Sequence, residues 1–230
     1  MEDYIRLIII IALSYLVGSV PSALIISKAF FGFDIRKKGS GNMGSTNAFR
    51  TLGWKWGMIV QIADILKGVI AVVLIAPIVG SGMEMQGIIF EKLTLQFIAG
   101  VSAICGHIWT VFAGFHGGKG INTAAGMLFG MIPIDAGIAI GIFIIALIFS
   151  GYVSLGSIAA SIAVPSSLFV RYNFFGVGIP HYHILIYFFI GLAALLVFTH
   201  RTNIVRLFKG QENKFEKLQL IRIKIKNHDK

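Results

Sequence analysis

A glycine-rich loop between two apolar stretches carries a dense set of hydrogen-bonding residues. It runs from Gly39 to Arg50 and reads Gly-Ser-Gly-Asn-Met-Gly-Ser-Thr-Asn-Ala-Phe-Arg. Glycines leave backbone N–H groups accessible to phosphate oxygens, and an arginine offers a planar fork to an anion. We therefore predict phosphate binding here, with a flexible polar linker as the alternative. The candidate ligands are Ser40, Gly41, Asn42, Gly44, Thr46, Asn47 and Arg50.

A second loop ends in Gly117-Gly-Lys-Gly120 and leads directly into a predicted helix. Bare amides at a helix N-terminus, together with a lysine, favour anion binding. The loop is not a Walker A motif, because Gly120 stands where a serine or threonine would follow the lysine. A lysine that reaches the membrane surface is the alternative interpretation of Lys119. The candidate residues are His107, Gly117, Gly118, Lys119 and Gly120.

A third polar cluster follows the last apolar stretch. It contains His200, Asn203, Arg206 and Glu212. By itself it is equally well interpreted as a basic flank beside a membrane span. Ser154, at the start of an earlier span, is ambiguous by residue type alone.

Other polar residues in apolar surroundings have simpler interpretations. Asp64 and Lys67 lie one helical turn apart inside a predicted span, so a structural ion pair is favoured over a place in the active cavity. Cys105, the single cysteine, is interpreted as a packing residue. The sequence contains no Cys/His cluster with metal-ligand spacing and no Gly-x-Ser-x-Gly elbow, and we predict neither a metal nor a cofactor.

The composition requires that a membrane position these loops. Of 230 residues, 56% are hydrophobic and 13% are charged, with a mean hydropathy of +0.83. A soluble domain averages about 25% charged residues, so lipid is the expected solvent. The net charge is +10, and nine of the 20 basic residues lie in 201–230. This distribution fits the positive-inside rule and argues against a nucleic-acid partner.

Apolar stretches at 4–27, 56–80, 93–113, 153–170 and 183–199 are predicted spans. The stretch 121–150 is either one long helix or two short ones, 121–132 and 136–150, because Pro133 and Asp135 interrupt it. The positive-inside rule places both loops and the basic tail in the cytoplasm, which requires an even number of crossings after residue 120. We therefore predict an all-α integral membrane protein with seven transmembrane helices, the N-terminus outside and the C-terminus cytoplasmic. Five spans are the alternative.

We expect one polytopic membrane domain over residues 1–230. Residues 213–230 form a basic cytoplasmic tail in this prediction. The tail either lies on the anionic lipid surface or is solvated.

Taken together, the clusters resemble the acyl-phosphate-dependent glycerol-3-phosphate acyltransferase family of bacteria, PlsY. The matching segments are Ser40 to Arg50, Gly106-His107 with Gly117 to Gly120 and Thr123, and His200-x-x-Asn203-Ile204 with Arg206, Gly210 and Glu212. Gly18-Ser-x-Pro21, Asp64 with Lys67-Gly68, and Ser154 also fit. Ser45 and Asn122 depart from the pattern, which usually has alanine at both positions. Asn122 beside the glycine loop is a departure that could alter substrate affinity.

The resemblance implies transfer of a fatty acyl group from acyl phosphate to the 1-hydroxyl of sn-glycerol 3-phosphate. The products would be 1-acyl-sn-glycerol 3-phosphate (lysophosphatidic acid) and phosphate, formed during phospholipid biosynthesis at the cytoplasmic face of the bacterial inner membrane. Ser40, Arg50, Lys119 and Asn203 would bind phosphate and stabilise the transition state. His200 would orient a phosphate or hydroxyl, and Ser154 would add a polar contact.

The proton acceptor is open at this point. His107 and His200 are general bases by residue type, whereas the resemblance implies that the acceptor's own phosphate takes the proton. A transporter of phosphate or organophosphate is the rival function, because discontinuous spans near Pro133 are also a transporter feature. Clustering of the predicted phosphate ligands at one interface favours the enzyme.

Overall fold

The computed structural model describes residues 2–85, 88–89 and 91–215, and helices dominate this part of the chain. The helices are α1 (Glu2–Ser19), α2 (Ser22–Phe31), α3 (Ser45–Thr51), α4 (Trp54–Val69), α5 (Ala76–Gly80), α6 (Lys92–Ile108), α7 (Ile121–Met131), α8 (Pro133–Ser150), α9 (Val153–Asn173), α10 (Tyr182–Thr199) and α11 (Arg201–Phe208). Ile35–Lys37 and Val111–Ala113 form 3-10 turns, and Ile70–Ile75 is a π-helix. A short hairpin pairs β1 (Glu84–Met85) with antiparallel β2 (Ile88–Ile89).

Six helical stretches are long and apolar enough to cross a bilayer, judged by length and composition. They are Glu2–Phe31, Trp54–Gly80, Lys92–Ala113, Pro133–Ser150, Val153–Asn173 and Tyr182–Thr199. Apart from the two-residue strands, the predicted all-α class is confirmed. The two-helix interpretation of 121–150 is also confirmed, because α7 ends at Met131 and α8 begins at Pro133. With 11 residues, α7 is shorter than the other six.

The first predicted span is broken where the sequence predicts a continuous helix. α1 ends at Ser19 and α2 begins at Ser22, with Pro21 between them. Proline lacks a backbone N–H and clashes with the preceding helical turn, which accounts for the break at this point. The carbonyl of Ser19 at the end of α1 accepts a hydrogen bond from the hydroxyl of Thr110, which precedes the second glycine run.

The chain divides into two compact units, Met1–Pro133 and Ile134–Lys230. The first holds the two glycine-rich loops, and the second holds the cluster that follows α10. Residues 216–230, which make up most of the predicted basic tail, lie outside the described residues. The prediction of one domain over 1–230 stays a prediction.

Glycines bring two pairs of helices into backbone contact in the first unit. A Cβ added to Gly18 of α1 would lie 2.0 Å from the carbonyl oxygen of Ala103 in α6, and one on Gly106 of α6 would lie 2.2 Å from that of Tyr15 in α1. Small residues allow this approach, which membrane helices use because apolar side chains gain little by leaving lipid.

The same reciprocal arrangement joins α4 to α7. A Cβ on Gly68 would lie 2.0 Å from the carbonyl oxygen of Thr123, and one on Gly126 would lie 1.9 Å from that of Ile65. α6 leads into the second loop, and α7 leaves it. The two glycine contacts therefore fix both ends of that loop.

A π-helical turn interrupts the second span between α4 and α5. The side-chain amide of Gln96 on α6 donates to the carbonyl of Val72 within this turn at 2.9 Å. Backbone polar groups at membrane depth need a partner inside the protein. Gln96 supplies that partner and ties α6 to the irregular turn.

In the second unit, a buried carboxylate links α8 to α9. Asp135 accepts hydrogen bonds from Ser167 at 2.5 Å and from Arg171 at 2.7 Å. Both carboxylate oxygens are thus satisfied at the start of α8. Pro133 and Asp135, which interrupt the apolar stretch in the sequence, have structural roles at this helix start.

Gly126→Ala should destabilise the protein because its methyl group would overlap the backbone of α4. Overpacking of this kind costs roughly 1–3 kcal/mol. We expect a lower midpoint of thermal unfolding in detergent. Gly137→Ala is the matched control, since no described atom lies within 4 Å of the added Cβ. Equal midpoints for the two variants would contradict the packing of α4 against α7.

Candidate active site

The first glycine-rich loop is held together by the side chain of Asn47. Its Oδ1 accepts the N–H of Ser40 at 2.9 Å, and its Nδ2 donates to the carbonyls of Lys38 and Asn42 at 3.0 Å each and to that of Ile35 at 3.3 Å. The residue is 1% exposed. Asn47 is predicted from the sequence to bind substrate, whereas here its amide is engaged by the loop itself, which indicates a positioning role.

Backbone N–H groups of this loop are also engaged within it. The N–H of Gly41 donates to Lys38, and the N–H of Gly44 donates to the side chain of Asn42. With the N–H of Ser40 bound to Asn47, three of the amides that the sequence presents as candidate anion ligands have partners within the loop. The contacts that remain for an anion come mainly from side chains.

The candidate side chains of this loop for contact with an anion are those of Ser40, Thr46 and Arg50. Each is partly buried. Thr46 and Arg50 lie on α3, one helical turn apart, and Ser40 lies in the turn that Asn47 closes. The loop thus places two hydroxyl groups and a guanidinium on a short, rigid framework.

The second loop folds back on the helix that precedes it. The N–H groups of Gly117 and Gly118 donate to the carbonyls of Ile108 and His107 at 3.0 Å each. These two amides complete the C-terminus of α6 and are not bare, contrary to the sequence prediction. Lys119 and Gly120 follow, and Gly120 (φ +83°) leads into α7.

His107 lies behind this loop, inside the protein. A Cβ added to Gly118 would lie 2.1 Å from the Nε2 atom of His107, so the histidine ring leaves no room for a side chain there. The Nδ1 atom lies 3.8 Å from Oδ1 of Asp64, and the residue is 8% exposed. His107 is therefore a support for the glycine loop.

Asp64 and Lys67 form the buried ion pair that the sequence predicts. The Lys67 ammonium lies 2.5 Å from Oδ1 of Asp64. A buried charge needs such a partner to offset the loss of water. Together with His107 and Gly118, the pair lines a narrow cleft that also includes Met43 from the first loop. The pair is thus both structural and close to the loops.

Two hydrogen bonds connect the first loop to the second. Arg36 donates through Nη1 to the carbonyl of Ala113 at 3.1 Å, and Asn122 donates through Nδ2 to Oγ of Ser45 at 2.9 Å. Arg36 also donates to Asp34, which holds the pKa of that carboxyl at about 2. Asp34 is therefore ionised at neutral pH and fixes the orientation of the guanidinium.

The cluster of the second unit is organised around the carboxylate of Glu212. Its Oε1 accepts hydrogen bonds from Ser154 at 3.1 Å and from Asn203 at 2.8 Å, and its Oε2 accepts one from Arg206 at 2.9 Å. The Glu212 side chain is 5% exposed. Four residues singled out in the sequence thus form one hydrogen-bonded group, which includes Ser154 from 58 positions earlier.

His200, at the junction of α10 and α11, is buried. Its Nδ1 lies 2.9 Å from the carbonyl oxygen of Leu196. A carbonyl oxygen can only accept, so Nδ1 carries the proton in the neutral ring. Nε2 is then the acceptor nitrogen of the ring.

Comparisons with known proteins agree on one family. The family model described as glycerol-3-phosphate acyltransferase matches residues 8–210. The glycerol-3-phosphate acyltransferase of Chlorobaculum parvum is 46% identical over 225 residues, covering 89% of this chain and 94% of the relative. That of Chlorobium phaeobacteroides strain BS1 is 45% identical over 226 residues, covering 90% and 96%. This chain belongs to the glycerol-3-phosphate acyltransferase family.

Solved structures support the same assignment. PlsY (YgiH), an integral membrane glycerol 3-phosphate acyltransferase, matches in its glycerol 3-phosphate form with a TM-score of 0.76 and 34% identity. The match covers 91% of this chain and 95% of PlsY. The lysophosphatidic acid form of PlsY gives a TM-score of 0.73 and 32% identity over the same shares. The chain is thus an enzyme, an integral membrane acyltransferase of phospholipid biosynthesis.

Sequence reasoning missed several residues that hold the site in place. Arg36 and Thr110 are examples: the first bridges the two loops, and the second donates through its hydroxyl to the carbonyl of Ser19. Arg36 lies beside two other basic residues, Lys37 and Lys38, so residue type does not single it out. Its i,i+2 spacing from Asp34 is the one signal that could have identified it.

Glu212→Gln should lower the acyltransferase rate at least tenfold. The amide keeps the shape but loses the charge, and hydrogen bonds to charged groups contribute roughly 1.5–3 kcal/mol. The side-chain NH₂ group would replace one carboxylate oxygen, so at least one of the three donors, Ser154, Asn203 and Arg206, would face another donor. The acyltransferase rate of the purified variant in detergent checks this. Glu2→Gln, at an exposed glutamate, is the control. Wild-type turnover of Glu212→Gln would contradict the organising role of this carboxylate.

Proposed function

We propose that the chain transfers a fatty acyl group from acyl phosphate to the 1-hydroxyl of sn-glycerol 3-phosphate. The products are 1-acyl-sn-glycerol 3-phosphate and inorganic phosphate. The observation that carries the proposal is the direct hydrogen bonding between the two loops that hold Arg50 and Lys119, in a membrane protein of this family. Both substrates carry phosphate, and paired cationic loops suit such ligands.

We assign phosphate binding and stabilisation of the transition state to Ser40, Thr46, Arg50 and Lys119 in the first unit. Several of the loop amides are occupied by internal hydrogen bonds, so hydroxyl groups and cations carry this role. Preorganised donors aimed at developing charge are a major source of rate in acyl transfer. The glycines Gly41, Gly44, Gly117, Gly118 and Gly120 allow the tight loop path.

In the second unit, we assign substrate contacts to Ser154, His200, Asn203 and Arg206. Glu212 positions three of them through its carboxylate. The negative charge also keeps the Arg206 guanidinium in one orientation. An oriented guanidinium loses less conformational freedom when it binds an anion.

The reaction needs no covalent enzyme intermediate. The 1-hydroxyl oxygen attacks the acyl carbon, the ester C–O bond forms, and the bond from the acyl carbon to the phosphate oxygen breaks. Phosphate leaves with the electron pair, and the hydroxyl proton passes to a phosphate oxygen. Acyl phosphate is already activated, so Cys105 is not required as a nucleophile.

The geometry of His107 argues against a role as general base. A base must reach the proton it removes, within about 2.6–3.2 Å or through one water. The ring of His107 is enclosed between Asp64 and Gly118 and supports the loop. This favours phosphate as the proton acceptor over His107.

The donor can be tested with purified protein, radiolabelled glycerol 3-phosphate and palmitoyl phosphate, palmitoyl-CoA or palmitoyl acyl carrier protein. We expect lysophosphatidic acid from palmitoyl phosphate, with one inorganic phosphate released per product. Lys119→Met should reduce the rate about 100-fold or more, whereas Lys55→Met, at an exposed lysine, should not. Faster acylation from palmitoyl-CoA would exclude the proposed donor. Full activity of Lys119→Met would exclude the proposed site.

We further propose seven crossings, with the two loops and the segment after α10 in the cytoplasm of a bacterial inner membrane. Six stretches have the length of a span. The 11 residues of α7 extend only about 16 Å at 1.5 Å per residue. Its close contact with α4 through Gly126 supplies a protein neighbour, which allows a short helix to cross where the bilayer thins.

The single cysteine makes the topology measurable. In a Cys105→Ala background, Lys55→Cys, His116→Cys and Lys209→Cys should react with a membrane-impermeant maleimide in inside-out vesicles. Lys92→Cys and Phe174→Cys should react in intact spheroplasts. Reaction of Lys55→Cys and His116→Cys from opposite sides would overturn the shared face. Reaction of Lys209→Cys from the side opposite to His116→Cys would overturn the even number of crossings.

A further inference from the structure

The side chains of Ser45 and Asn122 connect the two helices that follow the glycine-rich loops. Asn122 Nδ2 donates to Ser45 Oγ at 2.9 Å across 77 positions of sequence. Ser45 is the first residue of α3 and is buried. Asn122 is the second residue of α7 and is partly buried. The bond therefore joins the two loops directly beside their proposed anion ligands.

Both residues lie close in sequence to side chains that we assign to phosphate binding. Thr46 follows Ser45, and Arg50 lies on the same short helix. Lys119 precedes Asn122 by three residues across Gly120. A change in the distance between Ser45 and Asn122 thus changes the distance between the hydroxyl and cationic ligands of the two loops.

A second hydrogen bond between the loops lies farther along the chain from Lys119. Arg36 reaches the carbonyl of Ala113, at the far side of the second loop from Gly117 to Gly120. This bond holds Ala113, which precedes the glycine run that carries Lys119. The short side chains of Ser45 and Asn122 leave little freedom, so they set the spacing at the proposed site.

We propose that Ser45 and Asn122 form a positioning pair that holds the two loops at the separation required by one phosphate group. The inference rests on the proposed function, because it uses the phosphate ligands assigned there. The pair does not touch the reacting atoms. It acts through Thr46, Arg50 and Lys119, and its effect falls on substrate affinity more than on the chemical step.

The test is a double-mutant cycle of Ser45→Ala, Asn122→Ala and the double variant. Each single change should raise the KM for glycerol 3-phosphate about fivefold, the typical value of one neutral hydrogen bond, with kcat within about twofold of the wild type. The double variant should show the same fivefold rise, because the bond is already lost in either single variant. Ser45→Thr, which keeps the hydroxyl, should restore the wild-type KM.

A purely structural bond would give a different pattern. It would lower the midpoint of thermal unfolding and leave the KM unchanged, which would overturn the proposal. So would a rise in KM of about 25-fold in the double variant, since independent effects multiply. Ser102→Ala is the matched control, because that hydroxyl bonds only within its own helix, to the carbonyl of Ile98. Asn122→Leu replaces Asn122→Ala if the latter does not fold.

A second readout separates this inference from the proposed function. The dissociation constant for inorganic phosphate, measured from the shift in thermal unfolding, is determined for the same variants. Wild-type protein that binds phosphate but forms no lipid from acyl phosphate would contradict the proposed function alone. In that case a shared fivefold weakening of phosphate binding in all three variants would still support the pair. Dissociation constants unchanged from the wild type, or a weakening in the double variant that is the product of the two single effects, would overturn it.

Discussion

Backbone contact between helices at glycines is the constraint on which the first unit depends. Gly18 and Gly106 bring α1 against α6, and Gly68 and Gly126 bring α4 against α7. In lipid, apolar side chains alone give helices little reason to associate, so close packing supplies the specificity. Since α6 ends and α7 begins at the second loop, these contacts determine where Lys119 lies.

Internal hydrogen bonds determine the shape of each polar cluster. Asn47 closes the first loop, the amides of Gly117 and Gly118 close the second against α6, and Glu212 gathers three donors in the second unit. Glycine in these loops therefore serves tight packing more than exposure of amides. In the proposed function, hydroxyls, guanidinium groups and an ammonium recognise phosphate, and hydrogen bonds from such cations to phosphate are charge-assisted and strong.

Periodicity and charge predicted the membrane class, the helical spans and the break before Pro133. These features follow from local composition, which a sequence displays directly. The break at Pro21 was not predicted, because the stretch 4–27 has the length and apolar composition of one span. The partners of the loop amides could not be predicted, since His107 and Ile108 meet Gly117 and Gly118 only after the chain folds back on α6.

The candidate residues were identified by type, but their division of labour required coordinates. Asn47 and His107 are candidate ligands by residue type, and the structure adds that their side chains contact the loops beside them. Ser45 and Asn122 were noted as departures from the family pattern, and their contact with each other could not be inferred from positions 77 residues apart. Long-range pairing of this kind is a property of the packed helices and not of any local pattern.

The π-helix between α4 and α5 has a geometric consequence for the whole second span. A π-turn inserts one residue into the helical repeat, and each residue of an α-helix rotates by about 100°. Deleting one residue from Ile70–Ile75 would restore a regular helix but would turn its two halves relative to each other by that angle. Either Asp64 and Lys67 would rotate out of the cleft, or Ala71 and Val72 would leave the core. The irregular turn thus allows both the face with Asp64 and Lys67 and the face with Ala71 and Val72 to point to the protein interior, although the two faces differ in rotation about the helix axis.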